Sequence, residues 1–418
     1  MDAPAPRTAA ADAYSLPLDS IDVSDPRLYQ DDIWPPFFER LRREDPVHYT
    51  ADGMYGSFWS VTKYKDIMQV ELNPQIYSSD ASLGGITITD RPAQYRRPSF
   101  ISMDPPVHDE QRKVVSPIVA PLNLQKFAGT IRERAAKIMD GLPRNEAFNW
   151  VDRVSVELTG QMLATLFDFP FEDRRKLTYW SDVATMDVNA GGEINSEAKR
   201  LEVLEDCLQT FSAMFCERAA APPAPDLISM LAHGEATRDL LDRPQELLGN
   251  LVLLIVGGND TPRNSISGGL WALSQHPEEY QKLRDNQAVI PSMVSEIIRW
   301  QSPIVHMRRT ALADAELGGK QIKQGDKVVM WYISANRDED SIENPNQFLI
   351  DRVRPRQHMS FGFGIHRCVG NRLAELQLTI MWEEIMKRFP KIEVLSDPKR
   401  IYSNFIHGIS DLQVRIPG

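Results

Sequence analysis

The stretch 358-HMSFGFGIHRCVGNRLAELQ-377 decides how this chain is read. One cysteine, Cys368, stands in a glycine-rich loop that runs into an amphipathic helix predicted to begin near Asn371. Gly362, Gly364 and Gly370 free the backbone where a tight loop must turn or approach something bulky. A thiol at a helix N-terminus, close to His366, Arg367 and Arg372, is expected to be held ionised by the dipole and by positive charge. An anionic sulfur beside a flat, glycine-lined loop is what a haem iron needs as a fifth ligand, and a thiolate there favours O–O cleavage. An isolated cysteine is most often a buried structural residue, so the surrounding pattern has to carry the assignment.

That pattern, F-G-x-G-x-H-x-C-x-G, is filled by Phe361, Gly362, Gly364, His366, Cys368 and Gly370. It resembles the haem-binding loop of the cytochrome P450 superfamily. The resemblance covers nearly the whole chain and is nearest to the bacterial alkane and fatty-acid terminal (omega) hydroxylases. It implies a mainly α fold with small β-sheets (α+β), a helix bundle around a buried haem b, and Cys368 as the iron ligand. The expected organisation is a disordered lead over residues 1–20 and a single haem-thiolate domain over 21–418.

Composition agrees with a large globular chain. At 418 residues, with 42% hydrophobic and 25% charged residues, it is long enough to bury a sizeable core. A net charge of −11 argues against a nucleic-acid partner, which calls for a basic face. Three cysteines, Cys207, Cys216 and Cys368, form no disulfide framework and point to a reducing, cytoplasmic setting. The Ala/Pro-rich start MDAPAPRTAAADAYSLPLDS has no apolar run of signal or membrane-anchor length.

In chain order, PPFFERLRRED (35–45) reads as a first helix, and VHYT and SFWSVTKY as two short strands of a small N-terminal sheet turning near Gly53 and Gly56. SSDASLGGITITDRPAQYRRPSF has no helical period and reads as a long loop, the kind that carries function. By resemblance it roofs the substrate pocket, with Ile86 and Ile88 in the wall; a plain solvated loop is the alternative. Next, Asp104-Pro105-Pro106 opens a helix on which His108 and Arg112, four apart, share a face. Two cationic donors on one face suit a carboxylate, and the family uses this H-x-x-x-R to hold haem propionate. Residues 116–235 are mostly helical, with Gly191 and Gly192 interrupting the pattern at a mobile connection between two helices that, by resemblance, form a lid over the substrate entrance.

LVLLIVGGNDTPRNS, within a long apolar helix, carries Asn259, Asp260 and Thr261 mid-span, where polar groups are costly unless satisfied. The resemblance makes Asp260 and Thr261 the acid–alcohol pair that delivers protons during dioxygen cleavage, with Leu254 and Gly257 facing the pocket. Pro262 is a departure, since many relatives have threonine there. Its missing N–H leaves the Gly258 carbonyl without a helical partner, which would open a groove or strain the helix.

Glu296 and Arg299 are three apart on one helix and match the family's scaffold pair, with Arg352 as third member although Ile350 replaces the usual proline. Arg309 fits a second propionate ligand. Ile304, Val305 and Met307 are expected to line the pocket. A terminal hairpin would return Phe405 and Ile406 to it, or have no pocket role. The resemblance implies a monooxygenase acting with O2 on an apolar substrate, terminally hydroxylating medium-chain alkanes or fatty acids. Electrons would come from a [2Fe–2S] ferredoxin and an FAD-containing NAD(P)H reductase, docked by Lys113, Arg367 and Arg372. Terpene, steroid or aromatic substrates remain alternatives because fold does not determine substrate. A Cys-ligated haem sensor or electron-transfer protein is the alternative outside the enzymes, though it would need no Asp260-Thr261 relay.

Overall fold

The computed structural model describes residues 13–418. Helix α1 (Pro35–Glu44) starts on two prolines, which fit a first turn because its N–H groups have no helical partner. Strands β1 (Val47–Gly53) and β2 (Gly56–Val61) form an antiparallel hairpin with Val47 opposite Val61, and Gly56 takes a φ of +76° in the turn. Helix α2 (Tyr64–Glu71) and the short strand β3 (Tyr77–Ser78) lead into the long loop.

The middle of the chain is helical, as its periodicity predicts. It supplies α3 (Val107–Val115), α4 (Pro121–Asp140), α5 (Glu157–Phe167), α6 (Arg174–Thr185) and α7 (Glu197–Ala220). Helix α8 (Pro244–Gln275) has 32 residues and, at 1.5 Å per residue, runs about 48 Å through the molecule. It packs on α5, α6, α9 (Ile290–Gln301) and α10 (Asn371–Arg388), and together they bury the largest apolar core. The fold is mainly α with small β-sheets, as expected.

Strands β4 (His306–Ala311) and β5 (Lys327–Trp331) complete a five-stranded sheet of order β1-β2-β5-β4-β3, in which only β2 and β5 run parallel. Strand β5 is buried along its whole length because the sheet is covered on both faces. Near the C-terminus Lys399–Arg400 pairs with Ile409–Asp411, and the tip between them returns to β4, where Phe405 O accepts from Val305 N–H at 2.9 Å.

Two expectations change here. Of the lead predicted to be disordered over 1–20, residues 1–12 lie outside the described residues. Residues 13–20 are ordered, because Arg40 donates to the carbonyls of Ala13 (2.6 Å) and Leu16 (2.7 Å) and Leu18–Ser20 forms a helical turn. Helix α8 runs unbroken through Pro262. Around that proline, side chains bond back to the ladder: Thr261 Oγ1 to Gly257 O (3.0 Å), Asn264 to Asp260 O (2.8 Å) and Ser265 to Thr261 O (2.8 Å). These bonds reach the carbonyls on either side of Gly258 O, the one Pro262 cannot serve.

The long loop is pinned from below by the sheet. Arg308 N–H donates to Ile86 O at 2.8 Å, and Lys327 Nζ reaches Ile88 O (3.0 Å), Tyr55 O (2.7 Å) and Asp90 (2.7 Å). Arg308 also pairs with Asp90. Buried His306 accepts from Ile88 N–H (3.1 Å) and donates to Asn404 O (2.8 Å), so one imidazole ties β4 to both the loop and the terminal hairpin. Burial lowers its pKa to about 4, so it does this as the neutral ring.

Candidate functional site

Helices α8 and α10, the long loop and β4 enclose a cavity of about 410 Å³ with Cys368 at one end. The loop that presents Cys368 is closed by its own backbone: Cys368 N–H donates to Phe361 O (2.8 Å) and Gly362 N–H to Met359 O (2.8 Å). Gly362 and Gly364 sit at φ +66° and +63°, and a Cβ on Gly364 would lie 2.3 Å from Glu71 O. Only glycine satisfies both the left-handed turn and that approach. Gly370 caps α10, and its missing side chain leaves contact distance, 4.0 Å from a built Cβ, to Cys368 Sγ.

Cys368 opens to the cavity. Desolvation pushes the thiol up, against the opposing pull of the Gly370 and Asn371 N–H groups and of Arg112 and Arg367. The pull of the cations and of the helix N-terminus expected from the sequence is present but opposed by desolvation, and a coordinating metal would favour the thiolate. Among the described residues, no cluster of His, Cys, Asp or Glu groups forms a metal cage, so a metal at Cys368 would have to arrive with its other ligands.

Beside the cysteine, Arg112 and Arg309 enter the cavity wall, together with His366. His108 lies behind them, its ring 4.3 Å from that of His366 and its Nδ1 2.7 Å from Asp109. His366 Nε2 meets Ser79 Oγ at 3.0 Å. This leaves His108 Nε2 and His366 Nδ1 buried without partners. Burial first, then Arg309 and neighbouring cations, hold His366 down to about 2, and burial also lowers His108. Arg112 donates to Arg367 O at 2.5 Å, and burial lowers its pKa as well. Arg309 is paired with Glu71 at 2.8 Å, and the Tyr332 hydroxyl donates to that same carboxylate. Two orphaned ring nitrogens and two partly desolvated guanidiniums beside a thiol fit a group that brings a metal and peripheral carboxylates. Haem is such a group.

Above Cys368, α8 turns Gly257 and Thr261 into the cavity. A Cβ at Gly257 would meet nothing within 4 Å, whereas one at Gly258 would lie 2.7 Å from Leu163 Cδ2. The first glycine keeps space open and the second lets α8 pack on α5. Asp260 sits on another face of the helix and is fully buried. Its carboxylate accepts from Ser181 (3.0 Å), Thr185 (3.1 Å) and Asn259 (2.8 Å), and pairs with Arg263 at 3.0 Å. Arg263 in turn holds half-exposed Asp182 at 2.8 Å, and Thr185 itself reaches the cavity wall. The chain Asp182–Arg263–Asp260–Thr185 thus joins the outside to the cavity. Sequence reading missed these partners, although Arg263 at three residues from Asp260 on one helix was a visible signal.

Of the expected pocket residues, Ile86, Ile88, Leu254, Gly257 and Ile304 lie in the wall, as do Met307 and Phe405. Val305 and Ile406 do not. Val305 is buried against Trp331 and the N-terminal helices, and Ile406 packs among the residues beneath the sheet. Extended residues alternate sides, and Val305 and Ile406 take the side away from the cavity. Arg97, Arg200 and Glu197 line the cavity without having been singled out from the sequence.

Beneath the cysteine loop, Arg299 donates to both Glu296 oxygens (2.8 and 2.7 Å), and Arg352 Nε reaches the same carboxylate at 2.9 Å. Arg299 also donates to Asn336 O (2.7 Å), and Asn336 holds Met359 N–H (2.6 Å) and Ser360 Oγ (2.8 Å). This connects the buried triad to the loop carrying Cys368.

Residues 190–414 match the family model described as Cytochrome P450. CYP153D17 from Sphingomonas sp. PAMC 26605 superposes with a TM-score of 0.89 at 47% identity, covering 96% of this chain and 100% of that one. Linalool 8-monooxygenase of Pseudomonas putida is 35% identical over 406 residues, 94% of this chain and 98% of its own length. Methyl-branched lipid omega-hydroxylase of Mycobacterium bovis is 31% identical over 92% of this chain and 91% of its own length.

Proposed function

This chain belongs to the cytochrome P450 family and is a haem-iron monooxygenase, and from that premise we propose that it hydroxylates the terminal carbon of medium-chain alkanes or fatty acids. The observation that carries the reading is the wall facing Cys368. Ile86, Leu254, Ile304, Met307 and Phe405 give the cavity an apolar wall, and Gly257 leaves room for a chain end. Secondary C–H bonds are weaker, so terminal attack requires walls that keep inner carbons away from the reacting position. A relative named as a lipid omega-hydroxylase supports the same reading.

Haem bound here supplies the oxygen chemistry, one atom of O2 entering a C–H bond and the other leaving as water. Cys368 would hold the iron of haem b, with Phe361 and Gly370 shaping its loop and His108, Arg112, Arg309 and His366 taking its carboxylates. Thr261, on the cavity side of α8, and Asp260, wired through Arg263 to Asp182, would move the protons the reaction consumes. Glu296, Arg299 and Arg352 hold the loop in place and touch no substrate. Electrons come from a [2Fe–2S] ferredoxin with an FAD-containing reductase, and exposed Lys113, Arg367 and Arg372 beside the cysteine loop would attract its acidic surface.

The test is product analysis. The holoenzyme is incubated with a ferredoxin system, NADH and either octane or dodecanoic acid, and the hydroxyl is located by mass spectrometry. A predominantly terminal alcohol is expected; inner-chain products with an intact haem-thiolate spectrum would overturn the substrate assignment. A terpenoid alcohol is the second reading, favoured by the linalool-oxidising relative. Linalool in the same assay decides between them.

A further inference from the structure

We propose that Arg97 forms a carboxylate subsite at the outer end of the cavity, so that the preferred substrate is a chain-bearing acid rather than a neutral alkane. This rests on the terminal-hydroxylase reading. Arg97 lies in the long loop and contributes to the cavity wall. Its Nη1 is buried without a partner, and no described residue forms a hydrogen bond or ion pair with its guanidinium. A partly desolvated guanidinium is costly unless an anion meets it.

The neighbouring charges are mostly engaged. Glu197 takes Arg91 (3.3 Å) and Arg200 (2.5 Å) on one oxygen, Oε1, while its Oε2 is buried without a partner. Arg200 also donates to Val183 O (3.0 Å), and Arg96 to Arg91 O (3.0 Å) and Ser82 O (2.8 Å). Asp187, also in the wall, accepts from the Tyr55 hydroxyl at 3.0 Å. One carboxylate, Glu197, thus acts on the three guanidiniums of Arg91, Arg97 and Arg200, and of these only Arg97 makes no hydrogen bond or ion pair with it. Burial, reinforced by Arg91 and Arg200, pulls Arg97 down to about 9. A planar carboxylate matches a guanidinium through two parallel hydrogen bonds and would supply the missing charge.

Position separates this arginine from the cofactor end. The carbonyls of Pro98 and Arg97 press on α8 at Gly249, where a Cβ would lie 2.0 and 2.8 Å from them. Gly249 precedes Gly257 by eight residues, about 12 Å along the helix axis at 1.5 Å per residue. The charges acting on Arg97 are Arg91, Arg200 and Glu197, whereas those acting on His366 are Arg309, His108 and Arg112. The cavity therefore has two separate cationic ends with an apolar middle. An acid bound by Arg97 would direct its methyl end toward Gly257 and Cys368.

Isothermal titration of the holoenzyme with dodecanoate and with dodecanol tests this. Wild type is expected to bind the acid about 10- to 100-fold more tightly, the worth of one charge-assisted contact. Arg97→Gln is expected to remove that preference and Arg97→Lys to keep part of it. Equal binding of acid and alcohol by wild type, or an unchanged ratio in Arg97→Gln, would overturn the proposal. If Arg97→Gln does not fold, the wild-type ratio and that of Arg97→Lys decide, and a ratio in Arg97→Lys equal to wild type counts against the bidentate contact. The site of hydroxylation is read separately: an acid bound through Arg97 but hydroxylated at inner carbons would sink the terminal reading and leave the subsite standing.

Discussion

Replacing Glu296 by alanine removes the one carboxylate that serves two buried guanidiniums. Glu296 and Arg299 have fully buried side chains, and that of Arg352 is 7% exposed. Arg299 would keep the carbonyls of Asn336, Pro345 and Gln347 but lose its counter-charge. Orphaning a buried charge costs about 3–5 kcal/mol. The Leu349 N–H, now 2.9 Å from Glu296, would lose its acceptor at a further cost of about 1–3 kcal/mol. Against a typical total of about 5–15 kcal/mol, that is about a quarter of the stability or more. The damage should reach the cysteine loop through Asn336, which holds Met359 and Ser360. The assay is urea unfolding followed by circular dichroism, with the carbon monoxide difference spectrum reporting thiolate-ligated haem. Both the midpoint and the fraction of intact haem should fall in Glu296→Ala, and less in Glu296→Gln. Burial pushes the Glu296 carboxyl up, but Arg299 and then Arg352 outweigh it and hold it below the ordinary glutamate range. A folded-state value that is depressed gives stability that is present above the unfolded value of about 4.3 and lost as pH falls through the folded one. Wild type should therefore lose stability in that acid window more steeply than Glu296→Gln. A Glu296→Ala protein within about 1 kcal/mol of wild type, below what even one orphaned buried group costs, would refute the reasoning.

Three further outcomes are expected. Gly364→Ala places a Cβ against Glu71 O at a φ of +63°; left-handed backbone alone costs about 1–2 kcal/mol, and displacing Glu71 frees Arg309, so the haem-to-protein ratio should drop. An unchanged ratio would show the loop to be more tolerant than its geometry. Asp260→Asn keeps the contact shape but breaks the charge link to Arg263; turnover should fall about 100-fold or more with a larger solvent isotope effect and unaltered substrate affinity. Wild-type turnover in that variant would remove Asp260 from proton delivery. Met307→Ala should widen the wall near Ile304 and shift hydroxylation toward inner carbons, and a constant product ratio in mass spectrometry would take Met307 out of the specificity wall.

What the sequence determined by itself was set by short spacings. The glycines around Cys368, His108 and Arg112 four apart, Glu296 and Arg299 three apart, and the polar triplet inside α8 are patterns that helix and loop geometry make legible within one segment. The five-stranded sheet was visible as such only in its first hairpin, because β4 and β5 join it from far along the chain and β3 pairs only with β4. Tertiary structure decided whatever depends on which segments meet. It turned Val305 and Ile406 away from the cavity, since a strand's two faces cannot be told apart before something packs on them. It chose Ser181, Thr185 and Arg263 as partners of Asp260, and left Arg97 with none. It also set desolvation against the cations at Cys368: the cations are local in sequence, but the desolvation that opposes them comes from the assembled interior.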